Sequence, residues 1–146
     1  MRLLRQARQA SAGGRLLIGV DLVKDKATLE AAYDDALGVT AAFNLNLLRH
    51  VNRLLDADFD ERGWAHVALF DEAESRIEMH LQSRQDQTVH WRGGERFFAE
   101  GQRLHTENSY KYLPADFEAL LRDAGFGASQ CWTDDQGWFA VFAAQG

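Results

Sequence analysis

The hydrophobic period of this chain changes between Leu55 and Ala65, and that change limits the folds open to it. Before it, apolar residues recur three and four positions apart. Phe43, Leu47, Leu48, Val51, Leu54 and Leu55 form one wide stripe on a helix that starts near Thr40. After it, Ala65-His-Val-Ala-Leu-Phe70, Arg76-Ile-Glu-Met-His-Leu81, Thr88-Val-His-Trp91 and Arg96-Phe-Phe-Ala99 read as strands. Asp71–Ser75, Ser83–Asp86 and Gly93-Gly94 are turn-forming stretches, so successive strands join by short connections and run antiparallel. Leu104-His-Thr-Glu-Asn-Ser109 is read as leaving that sheet.

The flanks follow a different pattern. Residues 1–10 read as the end of a helix, broken by Ser11 to Gly14. Leu16-Leu-Ile-Gly-Val20 is a continuous apolar run, the pattern of a strand buried on both faces in a helix-covered parallel sheet. Asp25 is placed to cap a helix from about Lys26 to Leu37, with Leu29, Tyr33 and Leu37 on one face. Gly38 is expected to stop that helix and Thr40 to cap the next. Pro114 opens a further helix that buries Phe117, Leu120, Leu121 and Ala124, and Gly125 ends it. Ala128–Thr133 and Trp138-Phe-Ala-Val-Phe142 form a terminal hairpin around Asp134-Asp-Gln-Gly137. The expected fold is mixed α/β in a single domain over 1–146. Residues of about 1–62 and 110–146 would be Rossmann-like, and about 63–109 an inserted antiparallel substrate-binding sheet.

Composition removes several function classes. A net charge of −6 opposes binding to nucleic acid phosphates. The only cysteine, Cys131, allows no intrachain disulfide, and no apolar run reaches the ~20 residues that span a bilayer. A cytoplasmic protein with no nucleic-acid or membrane partner is expected. The arginine-rich start (Arg2, Arg5, Arg8, Arg15) lacks the apolar stretch of a signal peptide and reads as a surface helix.

Some side chains suit chemistry better than packing. Glu107 and Ser109 are two apart, so on an extended segment they share a side. A carboxylate and a hydroxyl there can serve the two nitrogens of an imidazole, or belong to an ordinary solvated turn. Tyr33 and Met79 read first as core residues, Thr40 as a cap and Phe43 as a nearby wall. Asn44 and Asn46 are poor helix-interior residues, read as orienting the Gly38 corner. Asp21 and Asp25 are better explained by pairing with Lys24 or Lys26 and by capping than by binding a ribose. The five histidines show no metal-ligand spacing, although His80 and His90 are in reach across a hairpin, so no metal is expected. No Gly-x-Gly-x-x-Gly loop occurs.

Gly19-Val-Asp-Leu-Val-Lys-Asp25, Ala32-Tyr-Asp-Asp35, Gly38-Val-Thr-Ala-Ala-Phe-Asn-Leu-Asn46, Arg76-Ile-Glu-Met-His80 and His105-Thr-Glu-Asn-Ser-Tyr-Lys-Tyr112 occur in that order. Together they closely resemble the histidine-specific Nα-methyltransferases of ergothioneine biosynthesis, which use S-adenosylmethionine (SAM). The resemblance implies a C-terminal half of the family pattern, with the main SAM loop absent. It implies that Glu107 and Ser109 hold the imidazole of L-histidine, that Tyr33 holds its carboxylate, and that Thr40, Phe43 and Met79 complete the pocket. On this reading the chain is a substrate-binding half, inactive alone, that forms a homodimer or is complemented by the missing N-terminal half. The alternative is a non-catalytic oligomeric module that binds an amino acid or imidazole compound.

Overall fold

A computed structural model describes residues 1–11 and 13–146. In chain order the elements are α1 (Arg2–Ala10), β1 (Arg15–Asp21), α2 (Lys26–Tyr33) and α3 (Val39–Leu55). A 3-10 turn (Glu61–Gly63) precedes β2 (Trp64–Asp71), β3 (Arg76–Ser83), β4 (Gln87–Trp91), β5 (Gly94–Phe98) and β6 (Arg103–Tyr110). They are followed by α4 (Pro114–Asp123), β7 (Ser129–Thr133) and β8 (Phe139–Gln145). The chain divides into two compact units, Met1–Lys24 with Tyr110–Gly146, and Asp25–Ser109.

In the first unit the sheet order is β1-β8-β7 and both pairings are antiparallel, with Arg15 opposite Gln145 and Asp21 opposite Phe139. This corrects the expected parallel, Rossmann-like arrangement. The run Leu16–Val20 is apolar throughout but not buried on both faces. Leu16, Ile18 and Val20 pack with Ala140, Phe142 and Ala144 of β8 and with Leu4, Phe117 and Leu121 of the helices, whereas Leu17 is 71% exposed. Continuous apolarity therefore did not mean two covered faces. On the outer face Gly19 leaves room for the Phe139 ring, which would lie 2.6 Å from a Cβ at that position.

The loop closing the hairpin is held by Asp134, whose Oδ1 accepts from the backbone N–H of Trp138 at 2.7 Å and of Phe139 at 2.8 Å. Pro114 opens α4 as expected. At the end of β1, Asp21 accepts from Lys24 Nζ at 2.6 Å and from Lys111 Nζ at 2.8 Å. The Lys111 side chain is fully buried, so the Asp21 carboxylate supplies the countercharge its burial demands.

In the second unit β2, β3 and β6 form one sheet and β4 pairs with β5 in a separate hairpin. β2 and β3 are antiparallel, with Ala68 opposite Met79. The segment expected to leave the sheet instead joins it as β6, beside β3. One tie between them is the Thr106 hydroxyl, which donates to the Met79 carbonyl at 2.8 Å. Leu48 of α3 packs with Trp64, Leu81, Val89 and Phe98 in one apolar cluster, and Leu29 of α2 with Ile77 and Met79 in another.

The α2–α3 corner also departs from expectation. α2 stops at Tyr33, leaving Leu37 90% exposed. Gly38 is the residue just before α3, at φ 70°, a conformation that costs other residues more than glycine. The capping side chain is not Thr40 but Asp35, which accepts from the backbone N–H of Val39 at 3.0 Å and of Thr40 at 2.8 Å. A carboxylate four residues ahead of the first helical residue reaches two of its unsatisfied amides at once and complements the helix dipole. Those backbone bonds lower the Asp35 pKa to about 2.

Candidate amino-acid-binding site

All six residues singled out for ligand binding lie in the second unit. Tyr33, the last residue of α2, packs against the cluster of Leu29, Ile77 and Met79. Its hydroxyl lies 2.7 Å from Ser109 Oγ on β6. Tyr33, Met79 and Ser109 are thus brought together from three elements. α2 places the ring over β3, and the pairing of β6 with β3 brings the serine to it.

Glu107 is exposed on β6, where the alternation of half-buried and exposed residues lapses at Glu107-Asn108. Thr40 is half-buried in the first turn of α3 and is held through its amide by Asp35. Phe43 lies on the same helix and is 62% exposed.

A polar network stands behind Tyr33. Asn44, fully buried, donates from Nδ2 to the His80 carbonyl at 3.0 Å, and the same nitrogen is 2.9 Å from His66 Nδ1. His66 Nε2 is 2.7 Å from the Tyr33 carbonyl. The carbonyl can only accept, so Nε2 carries the proton, and Nδ1 then accepts from Asn44. This chain of bonds ties α3, β2 and β3 to the end of α2. Asn44 therefore does not orient the Gly38 corner, as its sequence position suggested, but supports the backbone of Tyr33. His66 was missed. The only available signal was a histidine inside an otherwise apolar alternating strand.

Around the β3–β6 edge, Arg76 Nε and Nη2 donate to Glu78 Oε1 at 2.9 and 2.6 Å, while Glu78 Oε2 is 3.0 Å from His80 Nε2. The Arg76 bonds hold the Glu78 carboxyl below its usual pKa against the opposing effect of burial, and His80 adds to the lowering. His80 stacks on His105, with ring centroids 4.7 Å apart. It does not meet His90, which contacts Asp58 and Glu95 instead.

The two hydroxyls of Tyr33 and Ser109 beside the apolar cluster that includes Met79 offer rotatable donors and acceptors next to an apolar surface. The histidine-specific, SAM-dependent methyltransferase family matches residues 1–146. The chain is 47% identical over 134 residues to a histidine N-alpha-methyltransferase of Mycolicibacterium smegmatis, covering 90% of this chain and 42% of that protein. It is 44% identical over 134 residues to the Mycobacterium tuberculosis protein of the same name, again covering 90% and 42%. It is 32% identical over 122 residues to ergothioneine biosynthesis protein 1 of Neurospora crassa, covering 82% of this chain and 14% of that protein. The chain belongs to the histidine-specific, SAM-dependent methyltransferase family, and it spans 42% of the length of the two mycobacterial relatives.

These matches overturn two expectations. The family match takes in the whole chain, 1–146, and not a C-terminal half. It equally removes the ground for an inactive substrate-binding half and for a non-catalytic module, because the match to a methyltransferase family runs over all of this chain's residues. Among the described residues no helix is long and apolar enough to cross a membrane.

The family's dependence on SAM raises the question of which residues could hold it. The acids near the end of β1 do not fit a ribose-binding role. Both Asp21 oxygens are engaged by lysines, and Asp25 Oδ2 accepts from the Thr28 amide at 3.0 Å as the cap of α2. A surface depression of about 280 Å³ lined by Arg15, Ser129, Gln130 and Gln145 lies in the first unit and contains none of the six ligand-binding candidates. No residue is assigned to the cofactor.

Proposed function

We propose that this chain acts as a SAM-dependent methyltransferase on the α-amine of L-histidine in the cytoplasm. The reading is carried by the Tyr33–Ser109 hydroxyl contact of 2.7 Å beside Met79, in a chain that matches the histidine-specific family from end to end. SAM supplies an electrophilic methyl group when bound; the residues described here bind and orient the amino acid.

A hydroxyl can donate to a carboxylate oxygen or accept from an imidazole N–H by rotating its proton. Tyr33 serves the substrate carboxylate, and Ser109 with Glu107 serves the two imidazole nitrogens. Met79 and Phe43 flank the ring, since a polarizable thioether and an aromatic face both pack well on a flat heterocycle. Thr40 contributes from the first turn of α3. Held at both ends, the α-amine is fixed in direction, and positioning of this kind is the main contribution an enzyme makes to a bimolecular transfer. The family match supports histidine as substrate, and a carboxylate opposite imidazole N–H explains the preference over apolar amino acids.

Calorimetric titration with L-histidine, and with L-leucine as control, tests the reading. Histidine is expected to bind and leucine not to. Ser109→Ala and Glu107→Leu should each weaken histidine binding at least tenfold, in line with losing a hydrogen bond to a buried polar group. Equal binding of the two amino acids, or unchanged affinity in both variants, would remove the assigned roles. The apolar outer face of the β1-β8-β7 sheet, with Leu17, Trp132 and Phe139 exposed, supports self-association. Light scattering is expected to report a homodimer.

A further inference from the structure

β3 and β6 place a second set of polar groups together that the histidine-binding reading does not use. Glu78, His80 and His105 each offer a ligand atom, and these atoms lie within 4.8 Å of one another. We infer that Glu78, His80 and His105 form a site for a divalent transition-metal ion of the zinc type, bound by one nitrogen from each imidazole and one carboxylate oxygen.

The donor set fits that metal class. Two imidazoles and a carboxylate are a common three-ligand arrangement for zinc, with water in the fourth position, whereas calcium and magnesium prefer oxygen donors. In a tetrahedral site with bonds near 2.0–2.1 Å, ligand atoms stand about 3.3 Å apart. His80 Nε2 and Glu78 Oε2 are already 3.0 Å apart. Closing the third position asks for rotation of His105, which is exposed, stacks on His80 and would give up the contact of its Nε2 with the Glu107 carbonyl at 3.1 Å. Backbone movement is not required, since Glu78 and His80 are alternate residues of one strand and share its face.

The surroundings prepare two of the three ligands. Arg76 donates to Glu78 Oε1, which orients the carboxylate, while Oε2 faces His80 Nε2. Carboxylate ligands are commonly held this way by outer groups. His80 is 8% exposed, and its Nδ1 is buried with no hydrogen-bond partner among the described residues. Burial of that edge fixes the ring, while Nε2 faces Glu78. Arg76 and Arg103 add positive charge nearby, which weakens cation affinity and favours nitrogen ligation over a purely ionic site. Sequence spacing obscured the site because its third ligand comes from another strand.

The test uses the full chain, freed of metal by a chelator and without histidine, which itself binds zinc. Zinc titration by calorimetry should give one ion per chain, and cobalt(II) in its place should give the visible absorption of a low-coordinate nitrogen–oxygen site. His105→Ala, at an exposed position, should lower zinc affinity at least tenfold with no change in the thermal midpoint of the metal-free protein. Glu78→Gln should lower it as well. His90→Ala is the control and should leave zinc binding unchanged, because the two His90 nitrogens face different carboxylates. No saturable zinc binding, or full binding by His105→Ala, overturns the inference. Either result leaves the histidine-binding reading intact, because none of Tyr33, Thr40, Phe43, Met79, Glu107 and Ser109 is altered.

Discussion

Replacing Asn44 tests whether the network behind Tyr33 holds the site. In Asn44→Ala the His80 carbonyl loses its amide donor at 3.0 Å, and His66 Nδ1 loses the one at 2.9 Å. Leaving a buried acceptor unsatisfied costs about 1–3 kcal/mol, and two are exposed to that loss. Against this, the Asn44 Oδ1, itself buried without a partner among the described residues, is removed, which recovers part of the cost. The net expectation is a loss of about 2–4 kcal/mol. At 2–4 °C per kcal/mol for a chain of this size, the thermal midpoint falls by roughly 4–16 °C. Asn44→Asp should be worse, since a buried carboxylate would face two acceptors. Urea melts give the free energy. Nitrogen NMR of the histidine rings gives the second readout: His66 in the wild type is the Nε2–H tautomer, and in Asn44→Ala that preference should weaken while histidine binding falls. A variant within about 0.5 kcal/mol of wild type, with the His66 tautomer unchanged, would refute the argument, because surface-like neutrality is incompatible with two orphaned acceptors.

Two further outcomes follow from charge placement. Asp35 has its pKa lowered to about 2 from 3.8, so its contribution is fully present above pH 3.8 and lost as pH falls through about 2. Asp35→Asn should therefore be less stable than wild type at neutral pH, with the difference shrinking towards pH 2 in urea melts; a constant difference would contradict the capping role. Asp21→Asn should cost about 3 kcal/mol because it leaves the fully buried Lys111 ammonium without its carboxylate, whereas Lys111→Met, which removes the buried charge itself, should cost less. Denaturation of both variants checks the order, and the reverse order would mean that the pair is not what anchors Lys111.

Much of the element pattern was legible because local rules act at short range. The strands β2 to β5 were visible as period-two runs between turn residues, and Pro114 marked its helix from its fixed backbone angle alone. Three features were not legible. A strand such as Leu16–Val20 carries no mark of whether one or both faces will be covered, or which neighbour it will pair with. The corner at Gly38 contains several residues able to cap, and only backbone geometry selects Asp35 over Thr40. β6 looked like a departing segment because its polar residues hide the pairing with β3. Of the candidate site, Tyr33, Met79 and Ser109 come together, while His66 and the working role of Asn44 escaped notice.

What the sequence by itself determined is the family and the class of side chains at the candidate pocket, because those rest on ordered motifs that survive without coordinates. It also settled that helices precede an antiparallel set of strands, since hydrophobic period is a local property. Tertiary structure alone decided that the β1 sheet is antiparallel, that Ser109 reaches Tyr33, and that Glu78, His80 and His105 converge. Each of these depends on which strand edges pair, a choice made by burial and backbone hydrogen bonding between segments far apart in the chain.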